Sequence, residues 1–168
     1  MSNMADDKHK ITLLAPVDIV ATATFSNFLN LAKAKGLVEL IIPFGVVTST
    51  DSTGEVVVTV VADAVNDTSS SDTIAAAVAF DYRLSGAVGT DTLGALTAAT
   101  SAGYALINTA DGKTLHIFID PAAVQLALAG AKYARVELTP TAESTVTLVA
   151  VLAEYVPNYA GASQESSS

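Results

Sequence analysis

The strongest pattern of apolar and polar positions lies in residues 132–155, KYARVELTPTAESTVTLVAVLAEY, which form two runs joined by a short loop. Over 133–139 apolar and polar side chains alternate, which is typical of a strand with one buried face. From Leu148 to Ala153, by contrast, both faces are apolar. A strand of this kind needs cover on both sides, from a second sheet and a loop or from another subunit. The pattern therefore predicts a β-hairpin and gives a first indication of oligomerisation.

Other short apolar runs end at turn-forming residues, as strands do. The β-branched run from Val56 to Val61 lies between two clusters of Ser, Thr, Asp and Gly, and a run within 35–47 is broken at Pro43 and Gly45. Each of these runs predicts a strand. By the same criterion, further strands are predicted in three places: within 75–84, around Leu96 and at 104–107.

Two segments have a less direct interpretation. In 109–120, TADGKTLHIFID, the pair Asp111-Gly112 precedes an apolar run, and an Asp-Gly pair between two strands is the strongest short-range hairpin signal. A second hairpin is therefore predicted there. The segment 25–36, FSNFLNLAKAKG, has an ambiguous period that fits an extended strand with a loop or a helical turn; we favour the strand.

One helix is predicted, over 121–130, PAAVQLALAG. Asp120 is suited to the N-cap, Pro121 to the first helical position and Gly130 to the C-terminal stop. About eight short strands with this single short helix predict an all-β fold, a β-sandwich of jelly-roll-like type. Parallel α/β folds would need long helices between the strands, and the sequence pattern contains none.

The length of 168 residues fits one domain with one core. We expect an N-terminal arm over 1–17, a single β-sandwich domain over 18–157 and a flexible C-terminal tail over 158–168, because both ends are rich in polar residues. The first residues, MSNMADDKHK, carry mixed charge and no apolar stretch. They predict neither a secretory signal nor a membrane anchor, so synthesis is expected in the cytoplasm.

Composition narrows the classes of function. The formal net charge of -9 argues against nucleic-acid binding, which depends on neutralising phosphates with Lys and Arg. The absence of cysteine excludes disulfides, thiolate catalysis and cysteine-ligated zinc. Charged residues are only 15% of the chain, against about 25% in typical soluble domains. This deficit suggests that partners cover part of the surface.

The search for chemistry yields weak candidates. His116 and Asp120 share a strand face and could form a base with an orienting acid, but a hydrogen-bonded structural histidine is the more common arrangement. Asp81 and Arg83 are interpreted as a surface ion pair, worth at most about 1 kcal/mol. The acidic loop residues Asp63, Asn66, Asp67 and Asp72 could approach a calcium ion, although a solvated loop fits them better. We therefore predict no enzyme, no cofactor and no metal site.

Three stretches resemble small structural proteins of tailed-bacteriophage heads: FDYRLSGAVGTDTLGALTAATSAG (80–103), DGKTLHIFIDPAAVQLALAGAKYARVELTP (111–140) and TVTLVAVLAEYVPNY (145–159). In those proteins a Y-R-x-S-G-A-x-G-T-D-T-x-G segment precedes a strand ending in Thr-Pro and a final apolar strand ending near a proline. Together these stretches contain 69 of the 168 residues.

The resemblance implies a head decoration, or cement, protein, a β-rich subunit on the capsid exterior of the virion that stabilises the lattice and is often trimeric. The implied partners are the major capsid protein and further copies of the chain, with a trimer favoured over a dimer and no nucleic acid or membrane bound. The segment SGAVGTDTLG (85–94) is the glycine-rich loop. From this loop and the apolar terminal strand we predict these subunit or capsid contacts: Leu148, Val149, Val151, Leu152, Tyr155, Tyr159, Val88 and Thr90.

Two other functions remain open at this point. The first is a receptor- or glycan-binding module of a phage head or tail fibre, since β-sandwiches are common there, although the chain has no tryptophan. The second is a small hydrolase built around His116 and Asp120. Binding to a glycan array would favour the first, and a His116→Ala protein that still occupies capsids normally would leave the second without support.

Overall fold

The computed structural model describes residues 8–48, 55–66, 75–86, 89–141 and 144–157. These residues form two antiparallel sheets and one short α-helix, so the predicted all-β sandwich is confirmed. In chain order the described strands are β1 (His9–Val20), β2 (Thr24–Phe25), β3 (Leu29–Asn30), β4 (Val38–Pro43), β5 (Val47–Thr48), β6 (Val56–Asp63), β7 (Ala76–Val78), β8 (Phe80–Leu84), β9 (Thr97–Ala99), β10 (Tyr104–Leu106), β11 (Thr114–Ile119), β12 (Tyr133–Pro140) and β13 (Thr145–Tyr155).

The first sheet has the strand order β1-β13-β4-β11-β8-β9, and β5 also pairs with β13. The second has the order β10-β6-β12-β2, with β3 on β12 and β7 on β6. The main core lies between the two sheets, because alternate side chains of each strand point to the same face. Large side chains that are almost fully buried come from both sheets: Ile19, Leu29, Leu40, Ile42, Leu106, Leu115, Ile117 and Leu138.

Both predicted hairpins are wrong, although most of their strands exist. β12 pairs with β6, β2 and β3 in the second sheet, whereas β13 pairs with β1, β4 and β5 in the first. Likewise β10 pairs with β6 and β11 with β4 and β8. Both connections therefore cross from one sheet to the other. Alternation and turn residues report that a strand exists and which face is buried, but they do not select its partner.

The Asp111-Gly112 turn has a role that explains its sequence. The Asp111 carboxylate accepts a hydrogen bond from the Val47 N–H, with an N–O distance of 2.7 Å. The Gly112 N–H donates to the Gly45 carbonyl at 2.9 Å. These two hydrogen bonds therefore hold the connection between β10 and β11 against the start of β5.

The helix α1 (Pro121–Ala127) has the predicted start. The Asp120 side chain accepts a hydrogen bond from the Ala122 N–H at 2.9 Å, and Gly130 has a φ of +89° just after the helix. The ambiguous segment 25–36 contains both an extended part and a helical turn. The end of β2 and the whole of β3 are extended, and a 3₁₀ turn over Leu31–Lys33 follows them.

The expected N-terminal arm differs from the structure. Residues 9–17 belong to β1, which pairs with β13 along its length, from His9 opposite Tyr155 to Val20 opposite Thr145. The chain 1–7 and the expected tail 158–168 lie outside the described residues. Within the described ranges, no helix is long and apolar enough to cross a membrane.

Candidate partner-binding surface

The predicted contact residues of β13 fall into two groups. Val149, Val151 and Tyr155 are 0%, 0% and 2% exposed, so the chain's own fold already covers them and they offer no area to a partner. Leu152 is half-buried on the opposite, outward face. Leu148 is 66% exposed. Of the doubly apolar run, Leu148 is therefore the residue that presents most apolar surface.

The remaining predicted contacts lie elsewhere. Thr90 is exposed and lines a cavity beside the glycine-rich loop. Val88 and Tyr159 fall outside the described residues. The predicted contacts that are described therefore do not all lie on one exposed surface.

The backbone around Leu148 is irregular. The pairing of β13 with β1 shifts register between Leu14 and Val17 and again between Val17 and Ile19, which is the mark of a β-bulge. Leu148 has a φ of +52°, a left-handed conformation that costs a residue with a Cβ roughly 1–2 kcal/mol. Its N–H donates to the Asp18 carboxylate at 2.8 Å, and this bond holds the strained residue in place.

Two exposed valines flank Leu148. Val17 is paired with Val149 across the bulge, and Val46 is bonded through its backbone to Thr147. Their side chains are 37% and 54% exposed. We call Val17, Val46 and Leu148 the bulge patch. Sequence reasoning found Leu148 in the apolar run, but the two valines come from distant segments and carried no signal of their own.

A second group of side chains lies on the outward face of the first sheet. His116 contacts Glu39, with 2.7 Å between Nδ1 and Oε1. Asp120, its predicted partner, instead caps α1. Glu39 lies in the alternating run 38–43, a pattern that could have indicated an outward-facing side chain. Only the pairing of β4 with β11 brings it beside His116. A histidine held by a carboxylate on a sheet surface needs no catalytic role.

The predicted ion pair between Asp81 and Arg83 does not form among the described residues. An arginine–glutamate pair of the same spacing forms on β12, where Arg135 Nη2 lies 2.7 Å from Glu137 Oε1. Arg83 instead has a buried Nε atom with no hydrogen-bond partner in the described chain. Asp81 and Arg83 therefore keep their charges available on the outward face.

The loop residues considered as calcium ligands do not form a metal site within the described ranges. Asp63 is 3% exposed, and its carboxylate accepts a hydrogen bond from the Val65 N–H. Asp67 and Asp72 lie outside the described residues. In the part of the chain that is described, no three His, Asp or Glu side chains are grouped as metal ligands.

Glu154, on the same outward face, anchors the start of β1. Its carboxylate oxygens lie 2.6 Å from Lys8 Nζ and 2.9 Å from Lys10 Nζ. Hydrogen bonds from Lys8 and then Lys10 hold the pKa of Glu154 below its ordinary value. The hydrogen bond to Glu154 raises the pKa of Lys8.

This contact predicts a pH-dependent stability. A lowered carboxyl pKa stabilises the fold above the ordinary value of 4.5, and the effect is lost as pH falls through the folded-state pKa. Because the pKa of Lys8 is raised, the stabilisation that its ion pair with Glu154 provides is lost only as pH rises above the ordinary lysine value of 10.5. We expect Glu154→Gln to be less stable than the parent near neutral pH and to approach it below about pH 4.5. Urea unfolding of both proteins across the acid range measures this; a difference that stays constant with pH contradicts it.

A cavity of about 470 Å³ lies beside the glycine-rich loop. Its lining includes hydroxyl groups and two ionisable side chains: Ser85, Thr90, Asp91, Thr92, Thr114 and His116. No Phe, Tyr or Trp ring lines it among the described residues. These polar groups can form hydrogen bonds, although apolar atoms, including those of Ile41 and Leu93, make up the larger part of the wall. We call this space the polar cavity after its hydroxyl groups; its described lining lacks the stacking surface that a sugar ring commonly uses.

No protein-family model matches the chain, and no curated protein matches it. Among solved structures, one described as "Structure of infectious bursal disease virus Gx strain" aligns with a TM-score of 0.22 and 12% sequence identity. The alignment covers 90% of this chain and 40% of that one, so the chain spans less than half the length of this neighbour. A TM-score of this size does not indicate a common fold.

Proposed function

We propose that this chain is a structural protein of a bacteriophage virion that binds the outside of the capsid lattice and stabilises it, as a decoration protein does. The observation that carries the proposal is Leu148, an apolar side chain that the fold keeps 66% exposed on a left-handed backbone. Strained backbone residues occur more often at functional sites than elsewhere, and an exposed leucine on a bulge is suited to inserting into a neighbouring protein.

The sequence resemblance supports the same function. Its third stretch, 145–159, contains Leu148 and the rest of β13. The proposed partners are the major capsid protein and further copies of the chain, with a trimer favoured over a dimer, on the capsid exterior. The proposal assigns no catalytic role to His116.

The test compares Leu148→Gly with Ala21→Gly. Ala21 is also exposed and also has a left-handed backbone, with a φ of +56°. Glycine relieves the backbone strain at both sites, so we expect both variants to match or exceed the parent's stability by up to about 1 kcal/mol. Leu148→Gly should in addition weaken binding to emptied capsid shells of its own phage by roughly tenfold.

Co-sedimentation with shells and light scattering of the free protein measure the two effects separately. Unchanged shell binding by Leu148→Gly would remove the bulge patch from the capsid contact. Failure of the parent protein to bind shells at all would refute the decoration function itself. A change in oligomer mass on Leu148→Gly, with shell binding retained, would assign the patch to contacts between copies.

The glycan-binding alternative has one feature in its favour, the polar cavity beside the glycine-rich loop. Thr90 and Thr114 on its wall could donate to and accept from sugar hydroxyls. Binding of the protein to a glycan array, abolished by Thr114→Val, would favour this alternative over the capsid contact.

A further inference from the structure

A smaller cavity, about 250 Å³, lies on the outward face of the first sheet around Phe118. Its lining residues are Leu37, Asp81, Arg83, Leu96, Phe118 and Asp120. We call it the Phe118 cavity. It does not include any residue of the bulge patch or of the polar cavity.

The floor of the Phe118 cavity is apolar. Phe118 lies on β11 directly across from Asp81 on β8. Leu37, before β4, and Leu96, before β9, are 62% and 51% exposed. Two exposed leucines beside an aromatic ring form an apolar surface, and such surfaces commonly mark a contact with a partner.

Within the part of the chain that is described, the acidic side chains at the rim form no ion pair. Asp81 has no ion pair among the described residues, and Asp120 uses one carboxylate oxygen to cap α1. Arg83 supplies one positive charge against these two negative ones, and its Nε atom is buried without a hydrogen-bond partner in the described chain. The rim of the cavity is therefore net negative.

We propose that the Phe118 cavity binds a lysine or arginine side chain of a partner protein. Such a side chain has an apolar stem and a cationic end. The stem would pack on Leu37 and Leu96, and the cation would lie against the Phe118 ring and the two carboxylates. A cation over an aromatic face is favourable in its own right, so one side chain satisfies both the apolar floor and the acidic rim.

Charge complementarity selects a different protein as the partner. The chain has 17 acidic and 8 basic residues, with a formal net charge of -9, so a second copy would bring further negative charge to this acidic rim. A partner with a basic surface is attracted to the same field. The proposal does not depend on the capsid function and holds for any basic protein segment that reaches this face.

The probe is a set of three small compounds titrated into the full-length protein and followed by NMR. N-acetyl-lysine methylamide carries the cation, N-acetyl-norleucine methylamide is its neutral counterpart, and N-acetyl-glutamate methylamide carries an anion. We expect the resonances of Leu37, Leu96 and Phe118 to shift with the lysine compound. Its affinity should exceed that of the norleucine compound by at least about fivefold.

The variant Asp81→Asn/Asp120→Asn removes both negative charges while Asn at position 120 still serves as an N-cap. It should lose the preference for the lysine compound, and thermal unfolding of the variant reports whether the fold is kept. Asp91→Asn, at an exposed acidic residue outside the cavity, is the matched control and should retain the preference.

Several outcomes overturn the proposal: equal affinity for lysine and norleucine compounds, preferential binding of the glutamate compound at Arg83, or no shift at this site with any compound. A preference that survives in a folded Asp81→Asn/Asp120→Asn protein also overturns it. None of these outcomes affects shell binding, so failure here and failure of the capsid function are distinguishable.

Discussion

Replacing Gly103 by alanine is expected to lower the free energy of unfolding by about 3 kcal/mol. Gly103 has a φ of +89° and lies against β6, and a Cβ atom at this position would overlap with the Val58 carbonyl oxygen and lie 2.7 Å from Thr59 Cγ2. The obstacle is backbone of the strand to which β10 is paired. Relief therefore requires the edge strand β10 to move away from β6.

The matched control is Gly130→Ala. Gly130 has the same φ of +89°, but a Cβ there would meet nothing within 4 Å. This variant should cost only the backbone strain, about 1 kcal/mol. Urea unfolding of both variants isolates the cost of the close approach as their difference. Equal losses of stability would mean that β10 moves aside freely and that its pairing contributes little.

Ser26→Ala is expected to lower the free energy of unfolding by about 2 kcal/mol. Ser26 is 4% exposed and lies between β2 and β3. Its Oγ accepts a hydrogen bond from the Val136 N–H at 2.9 Å, while its own N–H donates to the Val136 carbonyl. Removing the hydroxyl leaves a backbone donor buried without an acceptor, in the stretch where the edge strand is interrupted.

Ser144→Ala provides the opposite case. Ser144 is fully buried, and its Oγ has no hydrogen-bond partner among the described residues. Deleting a buried hydroxyl that makes no bond should be neutral or stabilising by up to about 1 kcal/mol. Chemical denaturation of the two serine variants compares the loss of a buried Oγ atom with a hydrogen bond, at Ser26, and without one among the described residues, at Ser144. A similar loss in both would show that packing of the Oγ atom, rather than its hydrogen bond, stabilises the region at Ser26.

Much of the secondary structure was predictable because it depends on local patterns. The alternation in 133–139 became β12 with Ala134, Val136 and Leu138 buried, and the Val56 run became β6. The helix was also predictable, since capping by Asp120 and the fixed backbone of Pro121 act over a few residues. These features set the all-β class.

The candidate surfaces were less predictable. The apolar run 148–153 suggested an intermolecular contact, but Val149 and Val151 are fully buried in this chain. Leu148 became exposed because a bulge against β1 turns it outward. The Phe118 cavity combines residues from four separate segments, and no local pattern in any of them indicates the others.

The sequence by itself determined which segments are strands, where the helix starts and which face of each regular strand is apolar, because side-chain period and capping are properties of neighbouring residues. Only the tertiary structure decided that β12 and β13 belong to different sheets, that Glu39 contacts His116, and that Asp81 and Arg83 do not form an ion pair with each other. The physical reason is that strand pairing, register and bulges depend on contacts between segments far apart in the chain.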